Sequence, residues 1–237
     1  MTSSWVTFWD KPHSIYVNAR HKDVHYRLIA EQVAALVPST EARVLDYGSG
    51  EALHADLIAA RAGEVLLCDG APGVRASVAA RFAANAKIRV LDPQAVRRLP
   101  PHSLDLIVLH SVAQYLSPAE TADLFALFHD LLKSDGTLIV SDVIPPRVAA
   151  ATDAVALLRF AAAHGFLLAA CAGLLRTLMS DYWRLRNQLG ITRYGETEMI
   201  EKLAAAGFAA TRAPTPIIGY NTARMAFVAH PRSRPEA

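Results

Sequence analysis

Val44-Leu45-Asp46-Tyr47-Gly48-Ser49-Gly50-Glu51-Ala52 is an apolar strand that ends in an acid, passes through a double-glycine turn and opens a helix-like run. Such a turn leaves bare backbone against which a nucleoside ligand can lie, beside the N–H groups of a helix N-terminus. The acid before the first glycine narrows the ligand further. Asp46 disfavours a phosphate and suits amino or cationic groups, so the turn need not serve a dinucleotide.

Outward from this turn, short apolar runs alternate with helical patterns from Arg43 to Asp142, as in a parallel sheet covered by helices. Strand one is Val44 to Asp46, followed after the turn by a helix carrying Leu53, Leu57 and Ile58 and stopped by Gly63. Glu64 to Asp69 reads as strand two, and Pro72 opens a helix whose Val74, Val78 and Phe82 recur every four residues. Ile88 to Leu91 is a third strand. Leu104 to His110 is a continuous apolar fourth strand, suited to burial on both faces. Ser117-Pro118-Ala119-Glu120 is a helix start in which Ser caps and Glu returns to the cap amide; Leu124, Phe125, Phe128 and Leu132 form the apolar face. Gly136 to Asp142 reads as strand five.

After Pro145-Pro146 an Ala/Leu-rich segment, residues 148 to 187, predicts two helices meeting near His164-Gly165. Glu196 to Ala206 predicts another helix with Gly207 as its C-terminal cap, and Phe208 to His230 a closing hairpin. The expected organisation is one domain over residues 1–237: a lid and helix (1–40), a ligand-binding core (43–142), a helical cap insertion (148–193) and a closing helix with hairpin (194–231).

Composition excludes several classes. A net charge of +2 gives no drive toward nucleic acid, and Arg97-Arg98, Arg232 and Arg234 are too sparse for a phosphate track. Cys68 and Cys171 lie far apart in apolar runs, which predicts buried, reduced thiols and a cytoplasmic protein. The N-terminal Trp5, Phe8, Trp9, Asp10 and Lys11 do not resemble a secretory leader. The longest apolar run, Phe160 to Leu175, is broken by His164 and Gly165 and falls short of the ~20 residues that span a bilayer. Peripheral membrane contact stays open. No histidine, cysteine or acid grouping has metal-ligand spacing, so no metal is expected.

Four strands end in or beside a polar residue: Asp46, Asp69, Asp92 and His110. Ligands of open parallel sheets sit at the carboxyl ends of the strands, where strand order reverses. One carboxylate at Asp69 offers both acceptors that a ribose diol needs. Asp92 is placed to accept from an exocyclic amine such as that of adenine, although Asp92-Pro93 is equally an ordinary turn.

Together Leu45-Asp46-Tyr47-Gly48-Ser49-Gly50, Cys68-Asp69, Leu91-Asp92, the strand Leu104 to His110 and Leu132-Lys133-Ser134-Asp135-Gly136-Thr137-Leu138 resemble a class I S-adenosylmethionine-dependent methyltransferase. The late Glu196 to Phe208 helix and the Asn221 to Pro231 closure resemble that family too. The resemblance implies an α/β Rossmann-like, doubly wound, mostly parallel seven-stranded sheet flanked by helices, with an N-terminal helical lid and a helical insertion after strand five. It also implies that Gly48, Ser49 and Gly50 face the methionine part of S-adenosylmethionine, with Asp46 near its amino group. Asp69 and Gly70 would hold the ribose, Asp92 and Pro93 the adenine, and His110 and Ser111 would lie near the methyl donor. Ala52 stands where the family often has a third glycine; its small side chain still allows close packing of helix on strand.

Methyl transfer from a sulfonium needs orientation more than acid–base chemistry, and a base only where the acceptor must lose a proton. Candidate bases are His110, Tyr115, His21 and His25. In the leader from Trp9 to His21, Tyr16 and Arg20 are the expected lid contacts, with surface packing as the alternative for each. Phe160, Phe166, Leu167, Leu168, Leu174, Leu175, Met179, Tyr182 and Trp183 predict an apolar or lipid-like small-molecule acceptor, or else the core of the cap or a homodimer interface. An Asn/Asp-Pro-Pro-Tyr/Phe motif is missing after strand four, which disfavours methylation of adenine or glutamine amino groups. Two rival readings are an NAD(P)-dependent oxidoreductase, opposed by Ala52 and Asp46, and a non-catalytic methyltransferase-like binding or assembly protein.

Overall fold

Strand order decides where a ligand can lie. In the computed structural model, which describes residues 3–10, 16–177 and 190–232, a seven-stranded sheet runs β3-β2-β1-β4-β5-β7-β6. Its strands are β1 (Arg43–Tyr47), β2 (Glu64–Cys68), β3 (Ile88–Leu91), β4 (Leu104–His110), β5 (Leu132–Val143), β6 (Phe208–Arg212) and β7 (Met225–Pro231). The first five are parallel, and β7 runs antiparallel to both β5 and β6. The chain builds outward from β1 to β3, then restarts on the other side of β1 with β4. The carboxyl ends of β1 and β4 therefore flank the switch point.

Each central strand is buried on both faces, as its unbroken apolar run predicts. Leu45, Leu66 and Ile107 enter one core with Phe125 and Phe128 of α6 (Pro118–Leu131) and Tyr194. Their neighbours Val44, Val65 and Val108 enter the opposite core with Ala30 and Val33 of α2 (Ala19–Leu36) and Ile58 of α3 (Ala55–Ala59). Period-two alternation sends successive side chains to opposite layers. Each such burial is worth about 1.5–3 kcal/mol against exposure.

The remaining helices are α1 (Ser3–Trp9), α4 (Pro72–Arg81), α5 (Pro93–Val96), α7 (Ala150–His164), α8 (Leu167–Thr177) and α9 (Glu196–Ala205), with a 3-10 turn at Ala113–Tyr115. The Ser117 box forms: Ser117 Oγ accepts from Glu120 N–H at 3.2 Å, and Glu120 accepts from Ser117 N–H at 2.8 Å. Gly165 ends α7 at φ 74°, where Phe166 N–H returns to the Ala161 carbonyl at 2.9 Å. The insertion packs on the leader and α2 through a separate cluster of Phe160, Ala161, Phe166 and Ala170 with Val17, Val24 and Leu28. Met179, Tyr182 and Trp183 lie outside the described residues.

Three expectations need correction. The helix after the glycine turn starts only at Ala55, because Ala52 adopts a left-handed φ of 44° and delays the first helical turn. Strand five begins at Leu132 rather than Gly136: Leu132 is already extended as the α6 cap and pairs with Leu104, with a register shift before Leu106. Of the two cysteines only Cys68 is buried; Cys171 sits on the solvent side of α8. Leu168, 87% exposed on the same helix, shows that this apolar run faces both ways. Among the described residues no helix is long and apolar enough to cross a membrane.

Candidate active site

Strand β1 carries Asp46 to the switch point and hands it to a turn that only glycine permits. Gly48 and Gly50 have φ of 83° and 56°. The N–H groups of Gly48 and Ser49 donate to the Cys68 carbonyl at 2.7 and 3.0 Å, folding the turn across the end of β2. A Cβ on Gly48 would lie 2.2 Å from Val112 Cγ2, and one on Gly50 would lie 2.6 Å from the Tyr26 hydroxyl. The same Tyr26 oxygen accepts from Glu51 N–H at 3.0 Å. Helix α2 and the segment after β4 thus close on the turn from two sides.

Asp69 braces the turn from β2. Its Oδ2 accepts from Gly50 N–H at 3.1 Å and its Oδ1 from Ala71 N–H at 2.8 Å. Burial pushes this carboxyl up, while those two amides and Arg75 pull it down. Asp46 has no such relief: it is 8% exposed and has no hydrogen-bond or ion-pair partner among the described residues. Burial first, and then the Asp69 charge, push it up to about 7. Gly70 links Asp69 to Ala71, the N-cap of α4. Asp92 Oδ1 caps α5 by accepting from Ala95 N–H at 2.7 Å, with Pro93 in the first turn, and this bond holds the carboxyl below its usual range. The turn role and a ligand role now compete for one side chain.

At the end of β4, His110 Nδ1 lies 2.8 Å from Ser141 Oγ of β5. Burial lowers His110, and the Asp142 charge opposes that shift. Ser111, just after β4, and Asp142, near the end of β5, both have φ of 58°, and the Ser111 hydroxyl donates to the Asp142 carboxylate. Left-handed backbone costs a non-glycine residue roughly 1–2 kcal/mol, and two such residues side by side mark a site whose geometry is held by its surroundings. Arg224 supplies part of that hold: Nε is 3.6 Å from Asp142 Oδ1, and Nη2 pairs with Asp153 of α7 at 2.8 Å. Asn221 donates to the other Asp153 oxygen at 2.9 Å. The loop bearing these residues is tied to α2 by Gln32, which accepts from Gly219 N–H at 2.8 Å and donates to its carbonyl at 3.3 Å.

Over these strand ends lies the inner face of α2. His21 stacks on Phe166 at 4.9 Å; Tyr16 lies 5.3 Å from His21, 5.6 Å from His25 and 5.8 Å from Tyr26, centre to centre. Burial lowers His21 to about 4. It lowers His25 to about 3, with help from His110 and His21, and raises the Tyr16 phenol. Tyr220 faces His25 at 6.0 Å and stacks on Phe160 at 4.1 Å. On the α7 side of that stack is a cavity of about 170 Å³, lined by Val155, Arg159, Phe160, Tyr220 and Thr222 among others.

Two expected site residues sit elsewhere. The exposed Arg20 donates from Nε to the His164 carbonyl at 2.6 Å, pinning the leader to the C-terminal end of α7. Tyr115 packs against α1, with ring centres 4.6 Å from Trp5 and 5.6 Å from Trp9. Asp10, just after α1, accepts from Gly73 N–H at 2.5 Å, so α1 spans from the turn after β4 to the start of α4. Sequence reasoning missed Tyr26, Asp142, Tyr220 and Arg224. Asp142 alone carried a signal, since it ends a parallel strand in an acid as Asp46 and Asp69 do.

A carboxylate before a glycine turn, a second acid beyond the next strand and this strand order coincide with a family match over residues 45–140, to the methyltransferase domain. The match covers 96 of the 237 residues, and the sheet has the Rossmann-like fold of methyltransferases. Structures similar to this chain include the YcgJ protein of Bacillus subtilis, at 14% identity over 89% of this chain and 100% of that one, TM-score 0.61. DhpI, solved with S-adenosylhomocysteine, matches at 12% identity over 98% of this chain and 97% of its own, TM-score 0.61. Human N-acetylserotonin methyltransferase, solved with S-adenosylmethionine, matches at 14% identity over 90% of this chain and 54% of its own, TM-score 0.56. At these identities the likeness is one of fold. No curated protein matches the chain by sequence.

Proposed function

We propose that this domain transfers a methyl group from S-adenosylmethionine to a small-molecule acceptor by in-line displacement. The observation that carries the reading is Asp46, a buried carboxylate with no hydrogen-bond or ion-pair partner among the described residues, beside a bare-backbone turn. A buried acid in that state costs free energy that a cationic ligand offsets. The α-amino group of the methionine moiety is such a cation. Gly48, Ser49 and Gly50 lie against that moiety, Asp69 and Gly70 hold the ribose with the acceptor sites their backbone partners leave, and Asp92 and Pro93 flank the adenine. Tyr16 and the α1 strap close over it; Arg20 and Tyr115 act on this closure, Arg20 through α7 and Tyr115 through α1.

Bound, S-adenosylmethionine supplies a methyl group already activated by the sulfonium charge. The residues of this chain then need to orient the acceptor and keep water out. His110 and Ser111 border the reacting end, and His21 and Phe166 roof it. The acceptor's apolar body suits the cavity beside Phe160 and Tyr220. The pyrophosphate of a nicotinamide dinucleotide would meet Asp46 and Asp69 together, which favours methyl transfer over hydride transfer.

Thermal unfolding with added ligands tests this reading. A ligand at 100 times its Kd stabilises by ~2.7 kcal/mol, so S-adenosylhomocysteine raises Tm by several degrees and NAD or NADP leaves it unchanged. The opposite pattern overturns the reading, and no shift with any of them favours a non-catalytic binding protein.

A further inference from the structure

Resting on that reading, we infer that His25 Nδ1 takes the acceptor's proton, and that the acceptor therefore presents a hydroxyl. His25 Nδ1 is buried and without a hydrogen-bond partner, one of few such atoms among the described residues. A buried ring nitrogen in that state lacks the bond that native interiors almost always supply. The groups facing it come from every element packed there: Tyr16 and His21 from the leader and the start of α2, Tyr26 from α2, His110 from β4, and Tyr220 from the β6–β7 loop. None is an acid, and burial keeps both helix histidines neutral at physiological pH. This wall offers a protonated amine no carboxylate counter-ion, and its unpaired ring nitrogen is an acceptor for a neutral O–H.

The proton step balances. The acceptor oxygen forms a bond to the methyl carbon as the carbon–sulfur bond of the sulfonium donor breaks, and that electron pair returns to sulfur. The oxygen's proton passes to His25 Nδ1 and then to solvent. One positive charge leaves sulfur as one arrives on the imidazole, so the enclosed charge is unchanged. An imidazole that is hard to protonate in the resting site can therefore accept a proton as the methyl moves, when the oxygen becomes strongly acidic. A second orphan fits the same ligand class. Nη1 and Nε of Arg224 are also buried without hydrogen-bond partners, and they suit another oxygen of the acceptor.

The test uses 4-methylphenol, a phenol ionising near ~10 as tyrosine does, and 4-methylanisole, its analogue without the O–H. Both are titrated calorimetrically at neutral pH into the full chain saturated with S-adenosylhomocysteine. The phenol binds about tenfold more tightly to the wild type, and His25→Ala removes that preference while S-adenosylhomocysteine affinity stays within about threefold. His25→Gln, which can hydrogen-bond but not take a proton, keeps the preference yet loses about 10²-fold or more of labelled methyl transfer to the phenol. Equal binding of the two probes, absence of binding by either, or a preference that survives His25→Ala overturns the inference. Failure of S-adenosylhomocysteine to bind the wild type overturns the function reading instead.

Discussion

The two sides of the cleft are built differently. On the proposed donor side, Asp46, Gly48, Gly50 and Asp69 lie within one strand–helix–strand unit, fixed by bonds from backbone amides such as Gly48 N–H to the Cys68 carbonyl and Gly50 N–H to the Asp69 carboxylate. On the proposed acceptor side, His25, His110, Asp142, Asp153 and Arg224 come from five separate segments, joined through side chains and leaving ring and guanidinium nitrogens without hydrogen bonds among the described residues. A site made by local backbone tolerates little change within it. A site assembled from distant segments can lose a member and keep its neighbour working.

Arg224→Met strikes the acceptor side hardest. Asp142 and Asp153 both lose their cation in a half-buried place, at a cost of about 3–5 kcal/mol. Urea unfolding should show that loss, while S-adenosylhomocysteine affinity at a temperature where the variant is folded stays within about threefold; a large loss of affinity breaks the separation of the two sides. Gly48→Ala strikes the donor side. Its Cβ falls 2.2 Å from Val112 Cγ2 at a left-handed φ, costing about 2–4 kcal/mol from overpacking and strain together. Here ligand affinity falls with stability, and adding Val112→Ala restores part of both.

Asp46 sharpens the contrast through pH. Its carboxyl is raised in the folded protein to about 7, against about 4 unfolded. Between those values the folded state holds the proton and the unfolded state does not, so stability is greatest below the unfolded value and falls as pH rises to about 7. Asp69, raised in the same direction, adds to the slope. The Asp46 share is of order 1–4 kcal/mol at most, and Asp46→Asn should flatten that part of the pH dependence measured by urea unfolding at pH values from about 4 to 8. An unchanged slope would place the ionised carboxylate in a wetter setting than this geometry gives. The smallest effect belongs to Arg20→Ala, which removes one exposed bond to the His164 carbonyl. Stability should drop by about 0.5–1.5 kcal/mol, with ligand affinity nearly unchanged.

The same contrast explains what the sequence disclosed. Strands β3 and β4 fall on the expected residues, and the Ser117 capping box forms as read, because periodicity and capping are local signals. The alternation that predicts a doubly wound sheet carries through to its closing hairpin for the same reason. What escaped depends on partners distant in sequence. Ala52 looks helical until its left-handed φ is seen in the packed turn. Tyr115 stands near His110 along the chain, yet its ring turns to Trp5 and Trp9. Tyr26 and Arg224 carry no motif; one gains its place from Gly50 and the other from Asp153. The strand-end acids, the glycine turn and the two histidines His25 and His110 could be named from the sequence, whereas Tyr26, Tyr220 and Arg224 became legible only as neighbours.

The central claim is that Asp46 waits, unpaired, for the amino group of S-adenosylmethionine. Calorimetric titration of S-adenosylhomocysteine into the wild type and Asp46→Asn, at neutral pH, tests it most directly. The account predicts saturable one-to-one binding to the wild type and affinity lower by about 10–100-fold in the variant, as expected when a ~1.5–3 kcal/mol charge-assisted bond is lost. No binding to the wild type, or equal binding to both, contradicts it.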